Sequence, residues 1–349
     1  MSQSKTYIAT PPGETIKEQL QDRGMQQKEF AVRMNLSEKH VSRLINGEVH
    51  LTPDMAVKLE MVFAVPAAFW NKLEAIYREK LAKVRDENSL ENEFALAKRF
   101  PYQEMANLGW VPKVTGMKER VIRLRQFFEV VTLYLINSPA ITPIIYRRQS
   151  VSEKASYALL AWAQQAKREA RKIVTAKINQ GKLESMLPTF RQLTTEVPQK
   201  FCPRLEEMLA TCGIAIIFLP HIKGSFLHGA TFRVGNKIVL GLTVRGKYAD
   251  KFWFSFFHEL AHILHGDVFK QEGVEQEDED KADFFAEEKL IPNDAFFDFT
   301  AAGDFSRESI LKFANRIGIS AAIVVGRLQQ KKIIHFSAHN DLRPQYVIP

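Results

Sequence analysis

Apolar residues recur at helical spacing over residues 14–85, in short runs separated by residues that stop helices. One run places Ile16 and Leu20 on the inner face of a first helix, and the next places Phe30 and Ala31 on the inner face of a second. The pattern therefore predicts a bundle of short helices at this end of the chain.

A tight turn at Asn35 and Leu36 is predicted to join the second helix to a third. Ser37 follows, where a side-chain oxygen can accept a hydrogen bond from a free backbone N–H at a helix start. Thr52 is predicted to cap a fourth helix, and Pro66 to occupy the first position of a fifth.

Two short helices joined by a tight turn have the geometry that places side chains in the major groove of DNA. The predicted contact residues are Gln27, Ser37, Glu38, Lys39, His40, Ser42 and Arg43. Lys39 and Arg43 suit phosphate or guanine, and Gln27 suits adenine or a phosphate. The alternative is a small helical bundle whose polar face only meets water.

The same segment resembles the HigA-type branch of the XRE helix-turn-helix family. The elements "QKEFA", "HVSRLINGE" and "FW" stand in that family's order and spacing. The resemblance implies that residues 1–85 bind double-stranded operator DNA, and that the chain does so as a homodimer.

Residues 86–200 are predicted to be a helical connector without catalytic groups. Its clearest helix is predicted over 150–177, with Ser150 and Glu153 as a capping box. The basic residues of this helix are Lys167, Arg168, Arg171 and Lys172. They form either a solvated face or a secondary contact with DNA or a peptide.

Beyond Phe201 the chain changes to short apolar runs, "GIAIIFLP", "GATFRV" and "KIVLGL", which predict a small β-sheet. The run "DKFWFSFFHELAHILHG" then predicts a helix capped by Asp250 and ended by Gly266. Mostly helical structure with a small sheet is the predicted fold class.

His258 and His262 are four residues apart in that helix, so their rings lie about 40° apart around it and about 6 Å apart along it. They can therefore converge on one metal ion, and Glu259 can reach a water on that ion without being a ligand. Such a zinc ion lowers the pKa of its bound water towards about 7, and Glu259 would take the proton during attack on a peptide carbonyl. The alternative is a buried helix that contains two histidines by chance.

A catalytic zinc site needs a third protein ligand, and the following run "EQEDEDKADFFAEEKLIP" predicts a helix that supplies one. Glu279 is the predicted ligand, and Asp283, one turn later, is the alternative. Ala282 and Ala286 share their face and would allow close packing on the histidine helix. Acidic residues are also common in solvated first turns of helices.

Two runs, "KFWFSFFHELAHILHG" in the histidine helix and "EDKADFFAEEKLIP" in the acidic helix, resemble the signatures of the ImmA/IrrE metallopeptidase family. The resemblance spans about residues 205–292 and implies a gluzincin-like α+β peptidase fold, with Glu279 at the third-ligand position. The predicted metallopeptidase domain covers residues 201–349 and includes a C-terminal extension. The resemblance departs at Lys281, where many relatives carry an acid before the alanine. A protein substrate, such as a repressor or a toxin–antitoxin partner, is implied.

Charge, cysteine content and hydropathy restrict the classes of protein to which this chain can belong. The 349-residue chain has a net charge of +8, and the excess of Lys and Arg lies in residues 101–200. Its two cysteines, Cys202 and Cys212, are predicted to be buried thiols because they have no metal or redox spacing. A signal core and an apolar span are missing from the sequence, so a cytoplasmic location without membrane contact is expected.

Two functions are consistent with these motifs. One is a DNA-binding regulator with a zinc-dependent endopeptidase domain. The other is a transcriptional autorepressor or antitoxin whose zinc site only senses metal or stabilises the fold.

Overall fold

The computed structural model describes residues 2–138, 153–223, 229–243, 247–270 and 274–347. The chain is mostly helical with small sheets, as predicted. It divides into two compact units, one of residues 1–94 with 116–122 and one of residues 95–115 with 123–349. The predicted division at residues 85 and 200 stays a prediction.

Residues 2–89 of the first unit form a short hairpin and five α-helices in chain order. These are β1 Ser2–Gln3, β2 Ile8–Ala9, α1 Pro12–Asp22, α2 Gln27–Met34, α3 Glu38–Ile45, α4 Pro53–Phe63 and α5 Ala67–Ser89. Phe30 and Ala31 are buried, as predicted, and the Phe30 ring stacks on Phe63 at 5.2 Å. Gly13 allows α1 to approach α3, since a Cβ at this position would lie 1.8 Å from the carbonyl oxygen of Ile45.

The predicted turn and caps of this unit are confirmed. Asn35 adopts a left-handed conformation (φ 51°) between α2 and α3. The Ser37 hydroxyl accepts a hydrogen bond from the backbone N–H of His40, and Thr52 caps α4 in the same way. Pro66 differs from the prediction, because it occupies the N-cap of α5 and the helix starts one residue later.

The helices that follow are α6 Phe94–Ala97, α7 Tyr102–Asn107, α8 Met117–Phe128, α9 Glu153–Ala170, α10 Gln180–Ser185, α11 Leu187–Gln192 and α12 Pro198–Ala210. The helix predicted over 150–177 is thus shorter at its carboxyl end, because residues 171–173 form a turn. Ser150, the predicted cap, lies outside the described residues.

The three predicted strands form a three-stranded sheet in the second unit. They are β3 Ile214–Leu219, β4 Gly229–Val234 and β5 Lys237–Thr243, in the order β3-β5-β4. β5 is parallel to β3 and antiparallel to β4. Ile216 and Leu240 belong to the main core on one face, whereas Gly241 on the other face lies under the buried ring of Trp162 from α9.

The rest of the second unit completes that core. Its elements are β6 Lys247–Tyr248, α13 Ala249–Leu264, α14 Gln276–Leu290, α15 Asn293–Ala301, α16 Arg307–Ile317, α17 Ala321–Gln330 and β7 Gln345–Tyr346. α13 packs against α14, α17 and β4. Ala282 and Ala286 are fully buried, as expected for close packing of α14 on α13.

Asp250 does not cap α13, so this prediction was wrong. The N-cap is Tyr248, and Asp250 lies in the first turn. Its carboxylate is bound at both oxygens by Arg343, at 3.1 and 2.8 Å. The charged guanidinium ninety-three residues away thus takes the oxygens that a local cap would have used. Gly266 follows the end of the helix in a left-handed conformation, as predicted.

Among the described residues, no single helix has the length and apolar character needed to cross a membrane, while α16 and α17 pass that test only as a pair bent by 115°.

Candidate metal centre and DNA interface

Two histidines of α13 converge at one point. The Nε2 atoms of His258 and His262 lie 3.1 Å apart. This separation fits two nitrogens that each lie about 2.1 Å from a shared zinc ion. The spacing of four residues on one helix is sufficient to produce it, as the sequence suggested.

Glu279 of α14 reaches the same point. Its carboxylate oxygens lie 3.2 Å from Nε2 of His258 and 3.8 Å from Nε2 of His262. One ligand atom from each of the three residues lies within 4.8 Å of the others. Asp283, the alternative ligand, instead contacts Nδ1 of His258 at 2.8 Å.

The outer ring nitrogens of both histidines are held by carboxylates. Asp283 holds His258, and Asp267 lies 2.9 Å from Nδ1 of His262. Asp267 is buried and is itself bound by Lys270 at 2.8 Å. Such contacts fix the orientation of each ring and leave its Nε2 as the atom that can bind a metal ion. The sequence prediction missed Asp267, whose only signal is its place directly after the glycine that ends α13.

The electrostatics of the site favour positive charge. Burial lowers the pKa of His258, but hydrogen bonds to Asp283 and Glu279 and the nearby charge of Glu259 raise it to about 10. The side chain of Lys281 does not oppose this, because its Nζ pairs with Glu277 at 2.7 Å on the exposed face of α14. Two imidazole nitrogens and one carboxylate in an acidic environment therefore fit a divalent cation such as zinc.

Glu259 is buried between α13 and β4. The hydroxyl of Thr231 donates a hydrogen bond to its Oε2 at 2.6 Å. A Cβ at Gly229 would lie 2.8 Å from its Oε1, so the glycine leaves the room that this carboxylate occupies. Glu259 is therefore held in place at one oxygen, beside the three candidate ligands.

The other histidines of the second unit have local partners where the structure describes them. His265 follows α13 and packs edge-on against Phe285 at 5.7 Å. His335 contacts the Ser337 hydroxyl, and His339 contacts the backbone carbonyl of Phe305. His221 also has a partner, and His228 lies outside the described residues.

The predicted DNA-contacting residues lie at the surface of the first unit, at the start of α2 and along α3. Gln27, Ser37, Glu38, Lys39 and Arg43 are exposed, and His40 and Ser42 are half-buried. Arg43 lies 3.6 Å from Glu48, while Lys39 has no ion-pair partner in the described part of the chain. The Ser37 hydroxyl is shared with the cap of α3, so its capacity for a DNA contact is reduced.

Three of the four basic residues predicted on the connector helix have intramolecular partners. Arg171 forms an ion pair with Glu129, Lys172 pairs with Glu169 at 2.6 Å, and Arg168 lies over the Phe127 ring. These contacts favour an ordinary solvated face over a second contact surface for DNA.

Comparison with known proteins identifies the first unit. A helix-turn-helix family model matches residues 16–70. The chain is 36% identical over 63 residues to the uncharacterized HTH-type transcriptional regulator YddM of Escherichia coli strain K12, an alignment that covers 18% of this chain and 67% of that protein. This chain belongs to the helix-turn-helix family of transcriptional regulators.

The prediction of a helix-turn-helix domain is thus confirmed. The matched residues run from α1 to the start of α5. The HigA-type branch and the ImmA/IrrE resemblance stay predictions. The roles of Glu259 as general base and of His258, His262 and Glu279 as metal ligands also stay predictions. The structure places the ligand atoms of the last three residues close together.

Proposed function

We propose that this helix-turn-helix regulator is also a zinc-dependent endopeptidase that cleaves a regulatory protein, such as a repressor, an antitoxin or another toxin–antitoxin partner. The proposal is carried by one observation: His258, His262 and Glu279 point their ligand atoms to one place, although Glu279 comes from a different helix. The resemblance to the ImmA/IrrE family supports the same assignment.

His258, His262 and Glu279 would hold the ion, and the bound ion supplies Lewis acidity for hydrolysis of a peptide carbonyl. Asp283 and Asp267 keep the two rings oriented. Glu259 accepts a proton at Oε1 from the attacking water, because Thr231 occupies Oε2. The same oxygen then delivers the proton to the leaving amine.

The sheet supplies a place for the substrate. β4 pairs with β5 at one edge in the described part of the chain, and an extended peptide substrate would add as a further strand along its other edge. Thr231 belongs to β4 and contacts Glu259, so a peptide bound along this strand would carry its carbonyl towards the general base.

The first unit supplies DNA recognition. α3 would enter the major groove of double-stranded operator DNA, with Lys39 and Arg43 at phosphates or guanines and Gln27 at the start of α2. A homodimer would place two copies of α3 on half-sites about one helical turn apart. The proposed regulator thus joins operator binding to proteolysis in one chain.

The experiment compares cleavage of candidate repressor and antitoxin proteins by the zinc-loaded chain and by Glu259→Gln, followed by intact mass spectrometry. We expect cleavage by the wild type, loss of cleavage in Glu259→Gln with zinc retained, and full cleavage by Glu184→Gln, which changes an exposed glutamate of the same unit. Equal cleavage by both Glu259 forms would remove this carboxylate from the mechanism.

The same experiment addresses the second function. If the zinc-loaded wild type cleaves none of the candidates, a structural or sensing zinc site in an autorepressor or antitoxin is favoured. Failure to bind zinc after reconstitution would contradict both functions and leave a buried helix with two histidines.

A further inference from the structure

A cavity of about 490 Å³ lies in the second unit, one helical turn from the candidate metal centre. It is bounded by the first half of α13, the second half of α14, α17 and a C-terminal segment that contains Phe336 and Arg343. His258, His262 and Glu279 do not line it. Its volume falls within the range of about 300–1,000 Å³ that small-molecule sites occupy.

Most of the wall is apolar. Phe254, Leu290, Ile291, Ile323 and Phe336 contribute aromatic and aliphatic side chains from all four segments. Leu290, Ile291 and Ile323 are otherwise part of the buried core, so the cavity extends inward rather than lying flat on the surface. A hydrocarbon group bound there would remove this apolar surface from water, which favours binding.

The charges on the wall are unequal. Arg343 pairs with Asp250 at 2.8 Å. Glu287 lies 3.6 Å from Arg327 and also pairs, at 2.9 Å, with Lys331, which is outside the wall. Lys251 is exposed and has no ion-pair partner in the part of the chain that the structure describes. One positive charge is therefore left over at the rim of an otherwise apolar cavity.

We propose that this cavity is a binding site for a small amphipathic carboxylate, whose apolar chain enters the cavity and whose carboxylate meets Lys251. A single unpaired ammonium group complements a single carboxylate, and the apolar wall accepts a chain of several methylene groups. Four segments bound the cavity, so it suits a short molecule better than a continuous peptide.

The ligand would contact the histidine helix directly. Phe254 lines the cavity, and its ring centroid lies 6.3 Å from that of His258, one turn later on α13. Binding can be measured without any peptidase activity, so the proposal stands or falls independently of the proposed function.

The experiment measures binding of decanoate to the full chain by isothermal titration calorimetry, below the concentration at which decanoate forms micelles. We expect one decanoate per chain and no binding of decyltrimethylammonium, which has the same apolar chain and the opposite charge. Lys251→Gln is expected to weaken binding about fivefold to tenfold. Lys289→Gln removes the same charge from an exposed position on α14 outside the cavity and should bind as the wild type does.

A second variant tests the location. Ile323→Trp fills the cavity, and it should abolish binding while circular dichroism confirms that it is folded. The proposal is overturned if decanoate fails to bind the wild type at millimolar concentration, if the cationic analogue binds equally well, if both lysine variants weaken binding equally, or if folded Ile323→Trp binds as the wild type does.

Discussion

The carboxylate of Asp267 lies 2.9 Å from Nδ1 of His262, and its second oxygen is held by Lys270 at 2.8 Å. The side chain of Asp267 is 3% exposed, whereas that of Asp283, which plays the same part for His258, is 57% exposed. The two histidines therefore have similar partners in very different surroundings.

Asp267→Asn is expected to lower the affinity for zinc about tenfold to a hundredfold, because the buried ring of His262 loses a charged acceptor. Asp283→Asn should have a smaller effect, since water can replace an exposed carboxylate. Competition with a chelating dye measures both constants. Equal affinities in the wild type and Asp267→Asn would show that Asp267 does not support the site.

Replacement of the acidic residues of α14 distinguishes the two candidate third ligands. Glu279→Ala is expected to lose the stoichiometric zinc, because two nitrogens alone hold the ion weakly. Asp283→Ala should retain about one zinc per chain, since this carboxylate contacts the outer nitrogen of His258. Elemental analysis after dialysis gives the ratio, and the reverse result would make Asp283 the ligand.

Lys39→Ala is expected to weaken binding to operator DNA and to lower the slope of log affinity against log salt by about one. The reason is that Lys39 is an exposed cation on α3 without an ion-pair partner in the described part of the chain. Lys17→Ala is the matched control, since Lys17 already pairs with Glu14 at 3.0 Å on α1. Fluorescence anisotropy over a salt series provides the measurement, and identical slopes for the two variants would exclude Lys39 from the interface.

Cys202 should make the stability of the chain sensitive to alkaline pH. Burial, with a contribution from Glu206, raises the pKa of its thiol from 9.0 to about 12. Between these values the unfolded chain releases the proton and the folded chain keeps it, so the free energy of unfolding falls by up to about 1.4 kcal/mol per pH unit. Below pH 9 this contribution is fully present.

Urea unfolding at pH 8 and pH 10.5 tests this sign. Cys202→Ala is expected to be less stable than the wild type at pH 8 because it leaves a small cavity, and to lose less stability on going to high pH. A wild type and a variant with the same pH dependence would contradict the assignment to Cys202.

Gly241→Ala is expected to destabilise the chain by about 1–3 kcal/mol, because overpacking of a filled core forces side chains away from their preferred positions. The new Cβ would lie 2.3 Å from the Trp162 ring. Gly181→Ala is the control, since its nearest neighbour lies 3.7 Å away and alanine favours the helix α10. Chemical denaturation of both variants gives the difference, and equal stability would mean that α9 does not rest on β5 as described.

Features encoded by neighbouring residues could be predicted from the sequence. The turn at Asn35, the cap at Ser37 and the convergence of His258 and His262 each depend on residues within four positions of one another. The apolar face of α14 with its small alanines was also sufficient to place Glu279 near the histidines. Periodicity and cap chemistry determine such features locally.

Partners distant in sequence could not be predicted. Asp250 suited a helix cap by its position, but Arg343 gave its carboxylate a stronger partner. Trp162 was placed correctly on a helix, yet its packing on Gly241 required knowledge of which face of the sheet that helix covers. Asp267 was missed for a different reason: it lies only five residues after His262, but the turn that follows α13 is what brings its carboxylate back to the ring.

The pairing of Arg343 with Asp250 also has a consequence for biosynthesis. A ribosome adds Arg343 ninety-three residues after Asp250, so the helix that carries both histidines emerges long before its anchoring arginine does. During translation the nascent chain therefore contains His258, His262 and Glu279 before the first turn of the histidine helix is tethered, and the final position of that helix is set only after the distant guanidinium has been added.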